Sequence, residues 1–305
     1  MPRPSLGCLL LLAGFVAGLP SCRSKAPPDR TVPCPSHVVL SDAIREPSGL
    51  VRSRRHPGVF WTHGDSGCEP YLHAISSDGA LIRSVRVRGG SCSDWEDITT
   101  DDAGNLYIAD TGNNMNVRRD LAVHRVPEPD PAGAQAEVDV DRTYRFRYEE
   151  QRSFPDPSQL NFDAEALFWA KGHLYLLTKH RGDMHTSLLR IPEEASLAEV
   201  ALRPLGRFRV GGDGLQFGGM VTGADATDDG RFLAVLTYHA LFVFEWTEAP
   251  DAYFARPLNR VDLRMSEVQQ IESVAWDGWS VLMGNEDRKL YRLDNPFAAR
   301  SDPFP

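Results

Sequence analysis

Five short segments of this chain carry acidic or small polar residues at matching points: Glu46-Pro-Ser-Gly-Leu50, Asp94-Trp-Glu-Asp-Ile98, Asp163-Ala-Glu-Ala-Leu167, Gly223-Ala-Asp-Ala-Thr227 and Gln270-Ile-Glu-Ser-Val274. Stacked, their third column reads Ser48, Glu96, Glu165, Asp225 and Glu272, and the first column adds Glu46, Asp94 and Asp163. Four like charges brought to one axis repel unless they are protonated, separated by water or neutralised by a cation. Oxygen donors at adjustable spacing suit calcium, whereas magnesium demands tighter octahedral geometry. The expectation is a calcium site made by Glu96, Glu165, Asp225 and Glu272, with Ser48 completing the ring. Next-but-one residues of a strand share a face, so Glu46, Asp94 and Asp163 extend the cluster towards one mouth. The competing reading is a set of solvated carboxylates lining a channel.

A second layer follows from the strand that pairs with each of these segments. Its ends carry His63-Gly-Asp65, Asp110, Thr178-Lys-His180, Tyr238-His239 and Asn285-Glu-Asp287. Asp110 and Asn285 are expected to support the metal ligands. Lys179, His180 and His239 are the candidate proton carriers or anion-binding groups, although polar hairpin loops need no function. Two other matches carry little. Gly64-Asp-Ser-Gly67 looks like the segment around a trypsin-type nucleophile, but that family places its histidine and aspartate upstream, where here there is little chain. Arg181-Gly-Asp183 is a cell-adhesion tripeptide that fits a hairpin tip. No phosphate loop, H-E-x-x-H helix or G-x-S-x-G elbow is present.

The elements that must position these residues are short strands. Each repeat, of about 50 to 70 residues, starts with the acidic strand, turns at a glycine and continues through further apolar strands, which is the signature of a propeller blade. The turns at Lys171-Gly172, Asp229-Gly230 and Asp277-Gly278 supply the positive φ of tight hairpins. Runs such as Leu174-Tyr-Leu-Leu177 and Phe232-Leu-Ala-Val-Leu236 suit strands covered on both faces. Trp61, Trp169, Tyr175, Phe244 and Trp276 sit in strand contexts and read as blade core. Glu193 to Leu202 is the one candidate helix, or else a connecting loop. The last repeat, ending at Lys289-Leu-Tyr-Arg-Leu293, is one strand short, and His37-Val-Val-Leu40 is placed to complete it and close the ring. The fold class is all-β, a single propeller of five blades closed by an N-terminal strand. Six blades remain open, because Pro127 to Gln159 is long enough to hide irregular strands.

The ends and the composition set the context. Residues 1–21, with Arg3 and an apolar stretch from Gly7 to Leu19, form an export signal. Its end, Leu19-Pro-Ser-Cys22, resembles the bacterial lipoprotein signal, so Cys22 is the expected lipidation site, with a secretory cut near Ser21 as the alternative. Residues 22–36 form a tether, 37–297 the propeller and 298–305 a tail. The formal net charge of −9 over 305 residues, without a basic cluster, argues against nucleic acid and anionic membrane surfaces as partners. Cys68 and Cys92 lie in loops bracketing one strand pair and are the favoured disulfide; pairings with Cys34 stay open.

The phrases Asp94-Trp-Glu-Asp-Ile98 with Asn105-Leu-Tyr-Ile-Ala-Asp110, and Phe162-Asp-Ala-Glu-Ala-Leu167 with His173-Leu-Tyr-Leu-Leu-Thr178, resemble exported calcium-binding propellers of the SdiA-regulated type. More loosely they resemble NHL-repeat and gluconolactonase-like propellers and esterase/phytase-like propeller domains. The resemblance runs from about Glu46 to Leu293 and implies a central calcium. The lactonase group sets asparagines beside its glutamate, and the column here has none. The expected protein is therefore an exported, lipid-anchored monomer of the periplasm or cell surface, binding a small ligand or a protein partner. The alternative is a calcium-dependent hydrolase of esters, lactones or phosphoesters, with Glu165 or Glu272 orienting water and His180 or His239 moving the proton.

Overall fold

The computed structural model describes residues 37–65, 70–156, 159–210, 219–247, 253–254 and 257–298. The expected signal, the tether, Cys22, Cys34 and Cys68 lie outside them, as does most of the expected tail. All described residues fall within one compact unit, Thr31–Pro305. No helix among them is long and apolar enough to cross a membrane.

The strands form five sheets arranged as the blades of a five-bladed β-propeller. β1 (His37–Val39) precedes blade one, which is β2 (Pro47–Arg52), β3 (Val59–Gly64), β4 (Tyr71–Ser76) and β5 (Leu81–Arg88). Blade two is β6 (Trp95–Thr100), β7 (Asn105–Asp110) and β8 (Ala122–Pro127), then, after β9 (Glu137–Asp139), β10 (Arg142–Tyr148). Blade three is β11 (Ala164–Ala170), β12 (His173–Thr178), β13 (His185–Ile191) and, beyond β14 (Val200–Leu202), β15 (Gly206–Arg209). Blade four is β16 (Val221–Ala226), β17 (Phe232–Thr237), β18 (Ala240–Glu245) and β19 (Pro257–Asp262). Blade five is β20 (Ile271–Asp277), β21 (Ser280–Asn285) and β22 (Lys289–Asp294), preceded by the one-turn helix α1 (Met265–Val268).

β1 supplies the outer strand of blade five, antiparallel to β22 with His37 opposite Tyr291, as the missing fourth strand requires. This closure covers the outer edge of β22 and ties the first strand of the propeller to its last blade. The long Pro127–Gln159 stretch hides β9, but β9 pairs in parallel with β5 of blade one, so it widens an existing sheet and makes no sixth blade. The Glu193–Leu202 segment is a short 3-10 turn over Glu193–Ser196 followed by β14, which pairs in parallel with β10 of blade two.

The core lies between blades, where both faces of each sheet are covered, so the inner strands are buried along most or all of their length. Trp61, Tyr175 and Phe244 are fully buried and Trp276 nearly so, while Trp169 packs partly exposed against the cluster between blades two and three. The links between the third and fourth strands clasp the preceding blade. β9 and β14 do so by pairing. Tyr253, in the β18–β19 link, seats its ring 5.8 Å from that of Phe168 in blade three. After β22, the Phe297 ring meets that of Phe232 of blade four edge-on with centroids 4.8 Å apart, and Asn259 Nδ2 of that blade donates to the Pro296 carbonyl at 2.7 Å. Gly79, in the β4–β5 turn, takes φ +81° and lies so close to blade five that a Cβ would sit 2.8 Å from Val38.

Candidate functional site

Each inner strand breaks its register near its start. The pairs Pro47–Gly64, Trp95–Asp110, Ala164–Thr178, Val221–Thr237 and Ile271–Asn285 stand opposite one another; an irregularity follows at once in blades two to five, and one residue later in blade one, after Ser48–His63. A bulge leaves a residue unpaired and re-aims its side chain. Counted from these pairs, the column that opens towards the axis is Ser48, Glu96, Glu165, Thr222 and Glu272. Asp225 is not in it. It lies three residues further along, opposite Ala234, where its Oδ2 accepts the Trp276 N–H at 2.8 Å. The expected fourth carboxylate is therefore replaced by a threonine, because matching acid to acid slid that segment by three positions.

The residue after each opposing partner forms a second column, which strand register reveals and acid spacing does not: Asp65, Thr111, Lys179, Tyr238 and Glu286. Together the two columns build the site. Oxygens of Asp65, Glu272 and Glu286 lie within 4.8 Å of one another, as do those of Asp65, Asp94 and Glu96, and those of Glu96, Asp163 and Glu165. These sets share members, so an unbroken acidic arc runs from blade five through blades one and two to blade three. Blade four closes the ring with the neutral Thr222 and Tyr238, and Lys179 from the end of β12 in blade three adds a cation beside them. Lys179 Nζ lies 2.9 Å from Glu165 and donates to the Tyr238 hydroxyl at 3.1 Å, which in turn donates to Glu272 at 3.0 Å. Gly112 makes room for the arc, since a Cβ there would collide with the carboxyl groups of both Asp94 and Glu96.

Burial dominates the electrostatics. It raises Glu96 and Glu272 well above the usual carboxylate range, with the Glu165 charge adding to the effect in both. Asp163 is raised by burial and then by Glu165. Asp94 is pushed up to about 6 by burial and the Asp65 and Asp163 charges. Burial alone would lower the Lys179 ammonium, but Glu165 and the other acids carry it well above its ordinary value. Seven carboxylates thus face the ammonium of Lys179 and the guanidinium of Arg181, which pairs with Asp163. The remainder needs protons or a further cation.

Several expected members do something else. The Ser48 hydroxyl donates to the Glu96 carbonyl at 2.6 Å, tying blade one to blade two, and is not a free ligand. Thr111 and Thr222 make the equivalent ties, to the carbonyls of Ala164 at 2.7 Å and Ile271 at 2.8 Å. Glu46 stands exposed at the rim, its carbonyl accepting the Asp65 N–H. Asp163 joins the cluster but is also an inter-blade post, accepting the Asn113 N–H at 2.6 Å as well as Arg181. Asp110 faces away from the cluster. Burial opposes its ionisation, yet hydrogen bonds from His124, Ser91 and the Asp94 N–H, with Arg118 at 3.0 Å, take it down to about 2. Asn285 holds α1 and the next turn, donating to the Val268 carbonyl at 2.9 Å and accepting from Lys289 N at 2.8 Å.

Neither histidine candidate belongs to the arc. His180 is engaged by Asp183 and Ser187, and His239 has Arg260 and Asp262 as its charged neighbours. Further along the inner strands, Asp97 accepts the N–H of Leu167 at 2.8 Å and that of Ala224 at 3.4 Å, so one buried carboxylate joins three blades. The expected Cys68–Cys92 disulfide has one partner outside the described residues.

No protein-family model matches the sequence, and no curated protein matches it. Among solved structures the chain is similar to virginiamycin B lyase from Staphylococcus aureus, at 13% identity and a TM-score of 0.39, over 81% of this chain and 66% of the lyase. It is also similar to the β-propeller domain of Cps50 (Swd1) from Myceliophteria thermophila, at 11% identity and a TM-score of 0.42, over 86% of each chain. A candidate 6-phosphogluconolactonase from Bacteroides uniformis is similar at 11% identity and a TM-score of 0.41, over 81% of this chain and 66% of that one. The chain therefore spans about two thirds of the length of the lyase and of the lactonase candidate. All these neighbours are β-propeller proteins, and the likeness is one of fold.

Proposed function

We propose that this five-bladed propeller is an exported, lipid-anchored binding module whose axial carboxylates hold a divalent cation, calcium by the chemistry of the donors. The observation that carries the reading is the arc of three overlapping acidic triads, each with oxygens within 4.8 Å. All of its donors are carboxylate oxygens, the set that hard cations take. Glu96, Glu165 and Glu272 would be the inner ligands, with Asp65, Asp94 and Glu286 towards the mouth. A bound cation would offset the repulsion that burial imposes on these acids and so stiffen the ring. Lys179 at the end of β12 in blade three and Tyr238 on blade four leave the site lopsided, acidic on one side and proton-donating on the other, which suits an anionic or polyhydroxylated ligand. Resemblance to exported calcium-binding propellers and the Leu19-Pro-Ser-Cys22 ending support export and the anchor. A metal-dependent hydrolase is the weaker reading, because His180 and His239 have partners elsewhere.

Thermal unfolding of the full chain in EDTA and then in calcium, beside Glu96→Gln/Glu272→Gln, tests the site. A calcium-dependent rise in midpoint that the double variant loses is the expected result by linkage. No shift in either protein would remove the cation from the proposal.

A further inference from the structure

His180 follows Lys179 at the end of β12, and alternation turns it away from the axis towards β13 of its own blade. It is 3% exposed. Its Nδ1 lies 2.7 Å from Asp183 Oδ1, and its Nε2 lies 3.2 Å from Ser187 Oγ. Asp183, the last residue of the Arg-Gly-Asp run, is itself fixed. Its Oδ1 accepts the His185 N–H at 3.1 Å, and its Oδ2 accepts Asn161 Nδ2 at 3.1 Å. An ionised Asp183 can only accept, so Nδ1 carries the proton and Nε2 is left to accept from the Ser187 hydroxyl. Burial lowers the pKa of His180, which leaves the imidazole neutral and able to take a proton. Hydroxyl, imidazole and carboxylate in this order and polarity are the parts of a serine nucleophile, whichever fold presents them.

The three residues line a small cavity between blades two and three, of about 50 Å³, together with Tyr148, Asn161 and Arg207. The Tyr148 hydroxyl is buried and has no hydrogen-bond partner among the described residues. Arg207, paired with Glu150 at 2.5 Å, brings a guanidinium to the same cavity. A cavity of this size holds a few water molecules, or one short acyl group in their place. None of the three relay residues belongs to the acidic arc.

We propose that Ser187, His180 and Asp183 form a nucleophilic relay on blade three that hydrolyses esters of short-chain carboxylic acids, a site distinct from the axial one. Ser187 Oγ attacks the ester carbonyl carbon while its proton passes to His180 Nε2. The C–O bond to the alcohol breaks, and His180 returns the proton to the leaving alkoxide. Water then attacks the acyl-serine, giving its proton to Nε2, and the carboxylic acid departs as Ser187 regains its hydrogen. Tyr148 and Arg207 are the donors placed to meet the charge that develops on the carbonyl oxygen. Asp183 is a positioning residue, holding the tautomer.

The full chain should be treated with a fluorophosphonate, which forms an Oγ–P bond with loss of fluoride, and the adduct mapped by mass spectrometry. A single adduct on Ser187, absent in Ser187→Ala and slowed roughly 100-fold or more in His180→Ala, is expected. Hydrolysis of p-nitrophenyl acetate should fall in parallel. Asp183→Asn should slow labelling roughly tenfold or more at an unchanged unfolding midpoint, an effect on tautomer that a merely structural tie would not show. Ser187→Cys keeps a nucleophile in place and should react with iodoacetamide faster than the same variant carrying His180→Ala. No adduct on the folded chain, an adduct that survives Ser187→Ala, or a thiol in Ser187→Cys whose reactivity is indifferent to His180 would each overturn the proposal.

Discussion

Replacing Lys179 by methionine isolates the electrostatics of the axis. Methionine keeps the apolar stem that Lys179 packs into the ring and removes the charge. Lys179 is 5% exposed, and its ammonium lies 2.9 Å from Glu165 and is hydrogen-bonded to Tyr238, so it is a buried partner in a hydrogen-bonded network. Removing one member of such a pair strands the other, at a cost of about 3–5 kcal/mol. For a domain of this size each kcal/mol moves the midpoint by about 2–4 °C. The variant should therefore melt roughly 6–20 °C lower in EDTA at pH 7.5. The sign of the pH dependence follows from the neighbours. Glu96, Asp163 and Glu272 already have folded pKa values above their unfolded ones, and loss of a nearby cation raises them further. A raised acid contributes stability that is complete below its unfolded pKa and lost as pH rises through the folded value. The deficit of Lys179→Met should accordingly be largest above pH 7 and shrink towards pH 4. Calcium should recover part of it at pH 7.5 by replacing the lost charge. Urea denaturation followed by tryptophan fluorescence, at both pH values with EDTA or calcium, measures all of these. A deficit below about 1 kcal/mol at pH 7.5, or one equal at both pH values, would refute the reasoning, since exposed pairs behave that way.

Two further substitutions probe neighbouring features. Gly112→Ala places a methyl group where the Asp94 and Glu96 carboxyl groups lie, at a backbone position that alanine tolerates, and should weaken calcium binding roughly 10- to 100-fold by calorimetry, as changes beside metal ligands do. Asp225, raised from 3.8 to about 7 by burial against the opposing Trp276 N–H bond, loses its contribution as pH rises through 7, at about 1.4 kcal/mol per pKa unit. Asp225→Asn keeps an acceptor for that N–H, so its stability relative to the parent should grow between pH 5 and pH 8 in urea titrations.

The ring was legible because the blades repeat a visible grammar: a polar residue, acidic in three of the five, near the start of the inner strand, a turn, and buried apolar strands. Those strands fall where the continuous apolar runs and the glycine turns put them, and β1 lies where the short fifth blade demanded a partner. The site was legible in part. Glu96, Glu165 and Glu272 do share one column, because in those blades the acid sits one residue after the pair that ends the register. Blade four defeated the reading, since Asp225 is the nearest acid in sequence while Thr222 occupies the position. The second column mixes aspartate, threonine, lysine, tyrosine and glutamate, so no residue type marks it, and only pairing with the inner strand aligns it. The short strands β9 and β14 span three residues each and leave no periodicity to detect.

The clasps between blades bear on how the molecule comes apart. In a linear repeat array each unit meets only its neighbours, so ends fray and cooperativity decays along the chain. Here every blade is gripped by a segment of the next one in sequence, and blade one grips blade five through Gly79. No blade can be lost without uncovering part of another blade's core. Such a ring has no end from which to fray, so it should unfold in a single step despite being built of repeats, with amide protons of all five inner strands exchanging at a common rate.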